Sequence, residues 1–98
     1  MSKVEKLRQA ARDQSCVRCG RRDGTVVLAH YFGARRSQYG GGMGVKGHDL
    51  IGAHLCSPCH TEMDRTLKSK EDRWTHSEEF LHLCALTLIR LWEQEIIQ

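Results

Sequence analysis

The stretch of sequence that decides the fold is HLCSPCHTEMD, residues 54–64. It ends a weakly apolar run and begins a helical pattern, and its cysteines, Cys56 and Cys59, have the spacing of a metal-binding turn. Cys16 and Cys19 repeat that CxxC spacing upstream. Because structural zinc takes four tetrahedral ligands and each CxxC turn supplies two, the sequence predicts one zinc site made of these cysteines. The alternative is that one or both pairs are merely buried or redox-active thiols.

Length and composition favour a single small domain, residues 1–98, whose core is too small to give more than marginal stability without a staple. The N-terminal run MSKVEKLRQAARDQ has no apolar segment typical of a signal sequence, which favours a reducing compartment where thiols remain free to bind metal. The apolar-rich segment 81–91 is too short to cross a bilayer. We therefore expect a soluble, cytoplasmic protein with no membrane partner, and we expect the fifth cysteine, Cys84, in the core.

The formal net charge of +3 is unevenly distributed along the chain. Residues 1–70 hold thirteen Lys and Arg against six acidic residues, whereas residues 71–98 hold two against six. Four thiolates around one Zn²⁺ would add a local charge of −2, so the net excess does not by itself indicate a nucleic-acid partner. Only local clusters could, such as Arg21 with Arg22 and Arg35 with Arg36.

Two strands are predicted on either side of a glycine-rich loop. Residues 3–14 have the apolar spacing of a helix, and TVVLAHYF, residues 25–32, has the composition of a strand with His30 near its end. LIGAHLC, residues 50–56, predicts a second strand, antiparallel to the first, that brings Cys56 beside the first CxxC pair. Residues 33–49 contain six glycines and predict a long mobile loop.

Two helices are predicted to follow the strands. Ser57 as N-cap and Pro58 at the first helical position begin one of them. Thr75 as N-cap and Glu78 as its capping-box partner begin the last helix, about residues 76–97. The apolar stripe of this helix contains Phe80, Cys84, Leu88, Leu91 and Trp92. The fold class is therefore α+β, with a β-β-α core over about residues 16–66 and flanking N- and C-terminal helices.

A second set of polar residues lies beside the cysteines. His60 is not needed as a zinc ligand, and with Asp64, four residues later on the same helical face, it could share a cation. His30 would face this helix if the strands form a hairpin, and a neutral imidazole can accept a proton from water. The alternative is that His30 is a half-buried strand histidine and that His60 and Asp64 form an exposed helical pair.

The order of these motifs resembles the zinc-stapled branch of the HNH, or ββα-metal, nucleases. The residues that carry the resemblance are a CxxC pair, a strand-end histidine, a variable loop and LCxxCH at a helix start, over about residues 16–66. Residues 43–64, MGVKGHDLIGAHLCSPCHTEMD, are more particularly similar to Ref-like, RecA-dependent nucleases of phages and prophages, including the lambdoid YbcO-type proteins.

The resemblance implies a ββα-metal fold and a role for each matching residue. His30 corresponds to the histidine that activates water, His60 to the metal-binding histidine of the helix, and Asp64 to a second ligand of a catalytic Mg²⁺ or Mn²⁺. The middle position of the motif is usually asparagine, which this chain lacks, so Asp49 is the nearest candidate, with His48 and His54 as alternatives. A second departure is Ala29, which stands where many HNH enzymes have a metal-binding Asp or His just before the general base.

The loop supplies candidate DNA contacts. Arg35, Arg36 and Lys46 could meet phosphates, and Tyr31, Phe32 and Tyr39 interleave with them. The alternative is a solvated loop.

The primary hypothesis is a metal-dependent DNA endonuclease with structural zinc, which by resemblance acts in phage or prophage recombination with a RecA filament as partner. The second hypothesis is a non-catalytic zinc module that binds DNA or a recombination protein, which the missing Asn and Ala29 favour. The third is an interaction adapter that forms a homodimer through Leu88, Leu91, Trp92 and Ile96 of the last helix.

Overall fold

The computed structural model describes residues 2–42 and 44–97, and within them it contains a two-stranded sheet and three α-helices. The helices are α1 (Lys3–Ala10), α2 (Ser57–Lys68) and α3 (Arg73–Glu93), and the strands are β1 (Val27–His30) and β2 (Gly52–Leu55). Single 3₁₀ turns follow α1 at Ala11–Asp13 and interrupt the long loop at Arg36–Tyr39. The predicted α+β class is confirmed.

The two strands form the predicted antiparallel hairpin. Val27 pairs with Leu55 at one end and His30 with Gly52 at the other. Gly52, the first residue of β2, has no room for a side chain. A Cβ at this position would lie 2.9 Å from Leu28 Cδ1 and 3.2 Å from the Ala29 carbonyl oxygen. The pairing brings His30 and the segment that leads to Cys56 into one rigid unit.

The sheet packs against α2 and α3 to form the main core. Tyr31 and Phe80 are among its largest fully buried side chains, and their rings meet edge to face at 5.4 Å. The hydroxyl of Thr87 on α3 accepts a hydrogen bond from the His54 backbone N–H at 3.1 Å. Cys84 is buried in this core as predicted, and burial raises the pKa of its thiol to about 12. The last helix thus covers the hairpin.

The start of α2 differs from the prediction. Cys56 is the N-cap and Ser57 is the first helical residue, and Ser57 makes no side-chain capping hydrogen bond. The Ser57 N–H instead donates to the Thr25 hydroxyl at 2.9 Å. The Thr25 side chain, from the segment before β1, therefore accepts the hydrogen bond of a helical N–H that a capping side chain next to the helix would otherwise accept.

The bounds of α3 also differ from those predicted. Its N-cap is Asp72, which has a left-handed backbone (φ 50°), and Thr75 lies within the first turn. The predicted capping box of Thr75 and Glu78 is therefore wrong, because helical residues begin at Arg73. The helix ends at Glu93, before the predicted end at residue 97.

The apolar face of α3 is narrower than predicted. Leu91 is buried against Leu7, Ala11 and Leu28 in a second cluster that α1 completes. Trp92, the next residue, points away from this cluster and is 65% exposed. Of the residues predicted to form a homodimer interface, Leu88, Leu91, Trp92 and Ile96, Leu91 is occupied in the core of its own chain and Trp92 is exposed.

The glycine-rich connection carries more structure than a simple loop. Besides the 3₁₀ turn it contains an isolated bridge between Gly42 and Val45. The His48 N–H donates to the Tyr39 carbonyl at 2.8 Å, and the Ala34 N–H donates to the Ser77 hydroxyl of α3 at 2.9 Å. The first bond closes the connection on itself, and the second ties its beginning to α3.

Within the described residues, no helix combines the length and apolar character needed to span a membrane.

Candidate functional site

The four cysteines of the two CxxC pairs meet at one point. The first pair lies on a tight turn in which the Gly20 N–H donates to the Cys16 carbonyl at 2.9 Å, and Gly20 supports the turn with a left-handed backbone (φ 81°). Cys56 lies at the end of β2 and Cys59 in the first turn of α2. The four sulfurs all lie within 4.8 Å of one another, and those of Cys19 and Cys56 are 3.6 Å apart.

This cluster fits a structural zinc ion. A tetrahedral site with Zn–S bonds of about 2.3 Å places its sulfurs about 3.8 Å apart, close to the observed spacing. The cluster could hold a structural metal such as zinc, and it does not involve His60. Sulfur ligation would leave no open coordination position for chemistry at this metal.

The protein environment shifts the pKa values of the cysteine thiols in different directions. Burial opposes ionisation of Cys16, but hydrogen bonds from the backbone N–H groups of Cys56, Cys19 and Arg18 outweigh it and lower the pKa of this thiol to about 6. Burial raises the pKa of Cys59 to about 12, although Arg18 Nη1 donates to its sulfur at 3.6 Å. A bound cation would favour the thiolate form of all four cysteines, because only the thiolate ligates a metal.

A cavity of about 610 Å³ opens on the other side of the hairpin and α2. His30, His60 and Asp64 line it, so three of the predicted site residues share one space. Four further lining residues are basic, and the others are apolar, aromatic or glycine. The basic lining residues are Arg8, Arg12, Arg36 and Lys46. We call this cavity, with these seven residues, the basic cleft.

His30 is held by a carboxylate. Its Nε2 donates to Asp49 Oδ1 at 2.6 Å, and Arg8 Nε donates to the same oxygen at 3.0 Å. The side chains of His30 and Asp49 are only 12% and 16% exposed. Burial opposes the charge of Asp49, but the hydrogen bonds from His30 and Arg8 hold the pKa of Asp49 below its ordinary value. The His30 imidazole therefore donates to an ionised carboxylate that also accepts a hydrogen bond from the Arg8 guanidinium.

His60 and Asp64 lie one helical turn apart on α2, as their spacing predicts. Asp64 Oδ2 accepts a hydrogen bond from Lys68 Nζ at 3.0 Å. Within the described residues, the ligand atoms of the four cysteines all lie within 4.8 Å of one another. The ligand atoms of His30, His60 and Asp64 do not lie that close together. Protein ligands in the cleft are thus few.

Neither Asp49 nor its two alternatives, His48 and His54, is among the residues that line the basic cleft. His48 is exposed, and its Nδ1 accepts a hydrogen bond from the Leu50 N–H at 3.0 Å. His54 is completely buried beneath α3, where its Nδ1 accepts from Arg90 Nη1 at 3.0 Å. Burial, with the nearby Arg90 charge, lowers the pKa of His54 to about 4. Asp49 is the candidate that contacts His30.

The residues predicted to contact DNA fall into different places. Arg36 and Lys46 line the cleft, but the Arg35 guanidinium lies over the Trp74 ring, 5.7 Å from its centroid. Tyr31 is 1% exposed and packs in the core, and with Phe32 it also belongs to the lining of the cavity. Sequence reasoning missed Arg8 and Arg12, although their spacing of four on the first helical segment was a usable signal.

Comparison with known families yields one match. The family model described as "Putative nuclease YbcO" matches residues 5–95, which is nearly the whole chain and includes α1 and α3 as well as the cysteines and the basic cleft. No curated protein and no solved structure matches the chain.

Proposed function

Because this chain belongs to the family described as "Putative nuclease YbcO", we propose that it is a metal-dependent DNA endonuclease that hydrolyses phosphodiester bonds. The observation that carries the proposal is the hydrogen bond of His30 to Asp49 at the wall of a cleft lined by His60, Asp64 and four basic side chains. A titratable base, a pair of ligands for a hard cation and a phosphate-binding surface are the parts that such hydrolysis needs.

His30 is the proposed general base. An ionised carboxylate only accepts hydrogen bonds, so the Nε2 that meets Asp49 carries the ring proton and Nδ1 keeps its lone pair. That lone pair can take a proton from the attacking water. Asp49 fixes the ring orientation and stabilises the imidazolium that forms, as a carboxylate does in hydrolytic triads. Arg8 is a positioning residue, because it contacts His30 only through Asp49.

His60 and Asp64 are the proposed protein ligands of a Mg²⁺ or Mn²⁺ ion. Mg²⁺ commonly takes only one or two protein ligands and fills its shell with water and substrate phosphate, so a sparse ligand set suits it. The ion pair of Asp64 with Lys68 is largely exposed, and such pairs contribute only about 0.3–0.5 kcal/mol, so Lys68 can give way to a divalent cation. When bound, the metal polarises the phosphate and stabilises the leaving oxygen.

The basic walls of the cleft are the proposed phosphate contacts. Arg8 and Arg12 approach from the N-terminal segment, and Arg36 and Lys46 approach from the long connection. Arg8 is already bonded to Asp49, so Arg12, Arg36 and Lys46 are the residues proposed to bind the DNA backbone.

The cysteine cluster is proposed to bind zinc and to serve as scaffold. It joins the turn at Cys16 and Cys19 to the end of β2 and the start of α2. His60 follows Cys59 directly, and His30 lies on the strand that pairs with β2. The zinc site and the hairpin together would therefore set the position of His30 relative to His60.

A role in phage or prophage recombination, with a RecA filament as partner, is supported by the resemblance to Ref-like nucleases and is proposed on that basis alone. A homodimer through α3 would have to use exposed residues such as Ile89 and Trp92. Sedimentation of Trp92→Glu beside the unaltered protein tests it.

The second candidate function is a non-catalytic zinc module that binds DNA. It is favoured by Ala29, by the absence of asparagine and by the wide spacing of the cleft ligands. Nicking of supercoiled plasmid with Mg²⁺ or Mn²⁺, with and without RecA, separates the two candidates when His30→Ala and His60→Ala are compared with His82→Ala, an exposed histidine of α3. The endonuclease proposal predicts that only His82→Ala keeps activity. If the unaltered protein binds DNA but neither it nor any variant cleaves DNA under any of these conditions, the protein is the non-catalytic zinc module instead.

A further inference from the structure

Trp74, in the first turn of α3, is 66% exposed, and the Arg35 guanidinium lies over its ring. Arg35 belongs to the long connection, and the next residue, Arg36, lines the basic cleft. An exposed aromatic surface is therefore joined to the cleft by two successive positive charges.

The ring and the connection are held in register by two hydrogen bonds. The Ala34 N–H donates to Ser77 Oγ at 2.9 Å, and Ser77 lies one helical turn after Trp74. The Arg35 N–H donates to the Tyr31 hydroxyl at 3.2 Å. Trp74 is thus placed beside a fixed part of the connection.

The buried side of α3 packs against the wall of the cleft. Phe80, six residues after Trp74 and on a different face of the helix, meets the Phe32 ring edge to face at 5.3 Å, and Phe32 lines the cavity that forms the cleft. The helix that carries Trp74 therefore contacts the wall of the proposed catalytic site through its buried side.

An exposed indole beside a guanidinium fits a nucleobase. Bases stack on aromatic side chains with little sequence preference, and arginine can add a cation–π contact or bind the adjoining phosphate. Bases inside a duplex have both faces covered by their neighbours, so only an unpaired or extruded base can use such a surface. The acidic residues nearby do not reverse the charge, because Lys70 and Arg73 flank Glu71 and Asp72.

We propose that Trp74 and Arg35 form a stacking site for an unpaired nucleobase of the strand that enters the basic cleft. The proposal rests on the proposed function in that this strand is the one to be cleaved. It implies a preference for DNA with unpaired nucleotides next to the scissile phosphate over a continuous duplex.

The test uses the fluorescence of the two tryptophans. In Trp92→Phe, the emission comes from Trp74 alone. We expect a single-stranded thymidine oligonucleotide to quench this emission, in the absence of added Mg²⁺ or Mn²⁺, and a blunt duplex of the same length to quench it far less. By anisotropy, Trp74→Ala should bind the single strand about 5- to 150-fold more weakly, since that range is typical of losing one base–aromatic stack. Trp74→Phe should keep most of the affinity.

Trp92→Ala is the matched control, because Trp92 is equally exposed at the other end of α3 and has no arginine over it in the described contacts. Thermal melting of each variant shows whether it is folded. Unchanged single-strand affinity in folded Trp74→Ala, or emission of Trp74 that saturating oligonucleotide does not alter, would overturn the stacking site, and such a ring would suit a protein partner.

The two proposals fail in distinguishable ways. Cleavage that depends on His30 but not on Trp74 would leave the endonuclease standing without the stacking site. Quenching of Trp74 by single-stranded DNA in a protein that never cleaves would support the stacking site and remove the catalytic function.

Discussion

A single carboxylate oxygen of Asp49 accepts hydrogen bonds from His30 Nε2 at 2.6 Å and from Arg8 Nε at 3.0 Å. This relationship joins the end of β1, the connection that leads into β2 and the first helix, and it leaves the other ring nitrogen of His30 free of Asp49. We therefore expect the general-base role of His30 to depend on Asp49.

Replacing Asp49 with alanine should lower the rate of DNA cleavage by about 100-fold, because His30 loses the group that selects its tautomer and orientation. Asp49→Asn should lose at least as much, since its amide N–H₂ can donate to Nε2 and place the ring proton on Nδ1, the nitrogen that must accept the proton of water. Single-turnover cleavage of a labelled oligonucleotide measures both rates. Equal rates for Asp49→Ala and the unaltered protein would show that Asp49 does not orient the base.

The stability contributed by Asp49 should depend on pH. The pKa of Asp49 is lowered in the folded protein, so its contribution is fully present above the pKa of an unfolded aspartate, about 4, and is lost as the pH falls through the lower pKa of the folded state. Urea unfolding of the unaltered protein and Asp49→Asn from pH 7 downward should show a free-energy difference that shrinks only in acid. A difference that grows in acid would contradict this sign.

Removing the metal should unfold much of the protein. A structural zinc contributes about 10–16 kcal/mol to the folding of small zinc peptides near neutral pH, and a 98-residue chain has little core to replace it. We expect one zinc per chain by elemental analysis, a large fall in melting temperature with chelator, and no zinc in Cys56→Ala. Cys84→Ala is the control, since it lies outside the cluster and should keep its zinc. Zinc retained at full stoichiometry by Cys56→Ala would contradict the four-cysteine site.

The Thr25 hydroxyl should matter more to α2 than the Ser57 side chain. Thr25→Ala removes the acceptor of the Ser57 N–H and should cost about 1 kcal/mol, as loss of a helix cap does. Ser57→Ala should change stability by less than about half of that, because the Ser57 side chain makes no capping bond. Denaturant unfolding of the two variants decides between them. A larger loss for Ser57→Ala would restore Ser57 as the cap.

The hairpin and the cysteine cluster could be predicted because their signals are local. Strand composition around residues 25–32 and 50–56 and the two CxxC spacings each lie within a few residues. The Asp49–Arg8 contact could not be predicted in the same way, since 41 positions separate the two residues and no local pattern links one to the other. Only the packing of α1 against β1 brings them together.

The boundaries of the last two helices show the same limit. Ser57 and Thr75 both have the composition of N-caps, but Thr25 from a distant segment already serves Ser57, and α3 begins before Thr75. Leu91 and Trp92 are both apolar and adjacent, so periodicity alone did not decide which of them faces inward. The second core cluster with Leu7 and Ala11 decides in favour of Leu91.

The measurement that tests the central claim most directly is chemical rescue of His30→Ala. Its cleavage rate should fall by about 10²- to 10⁴-fold, and added imidazole should restore part of the rate, while His82→Ala should cleave at the normal rate and not respond to imidazole. A normal rate for His30→Ala without imidazole would contradict the account, because the base would then lie elsewhere.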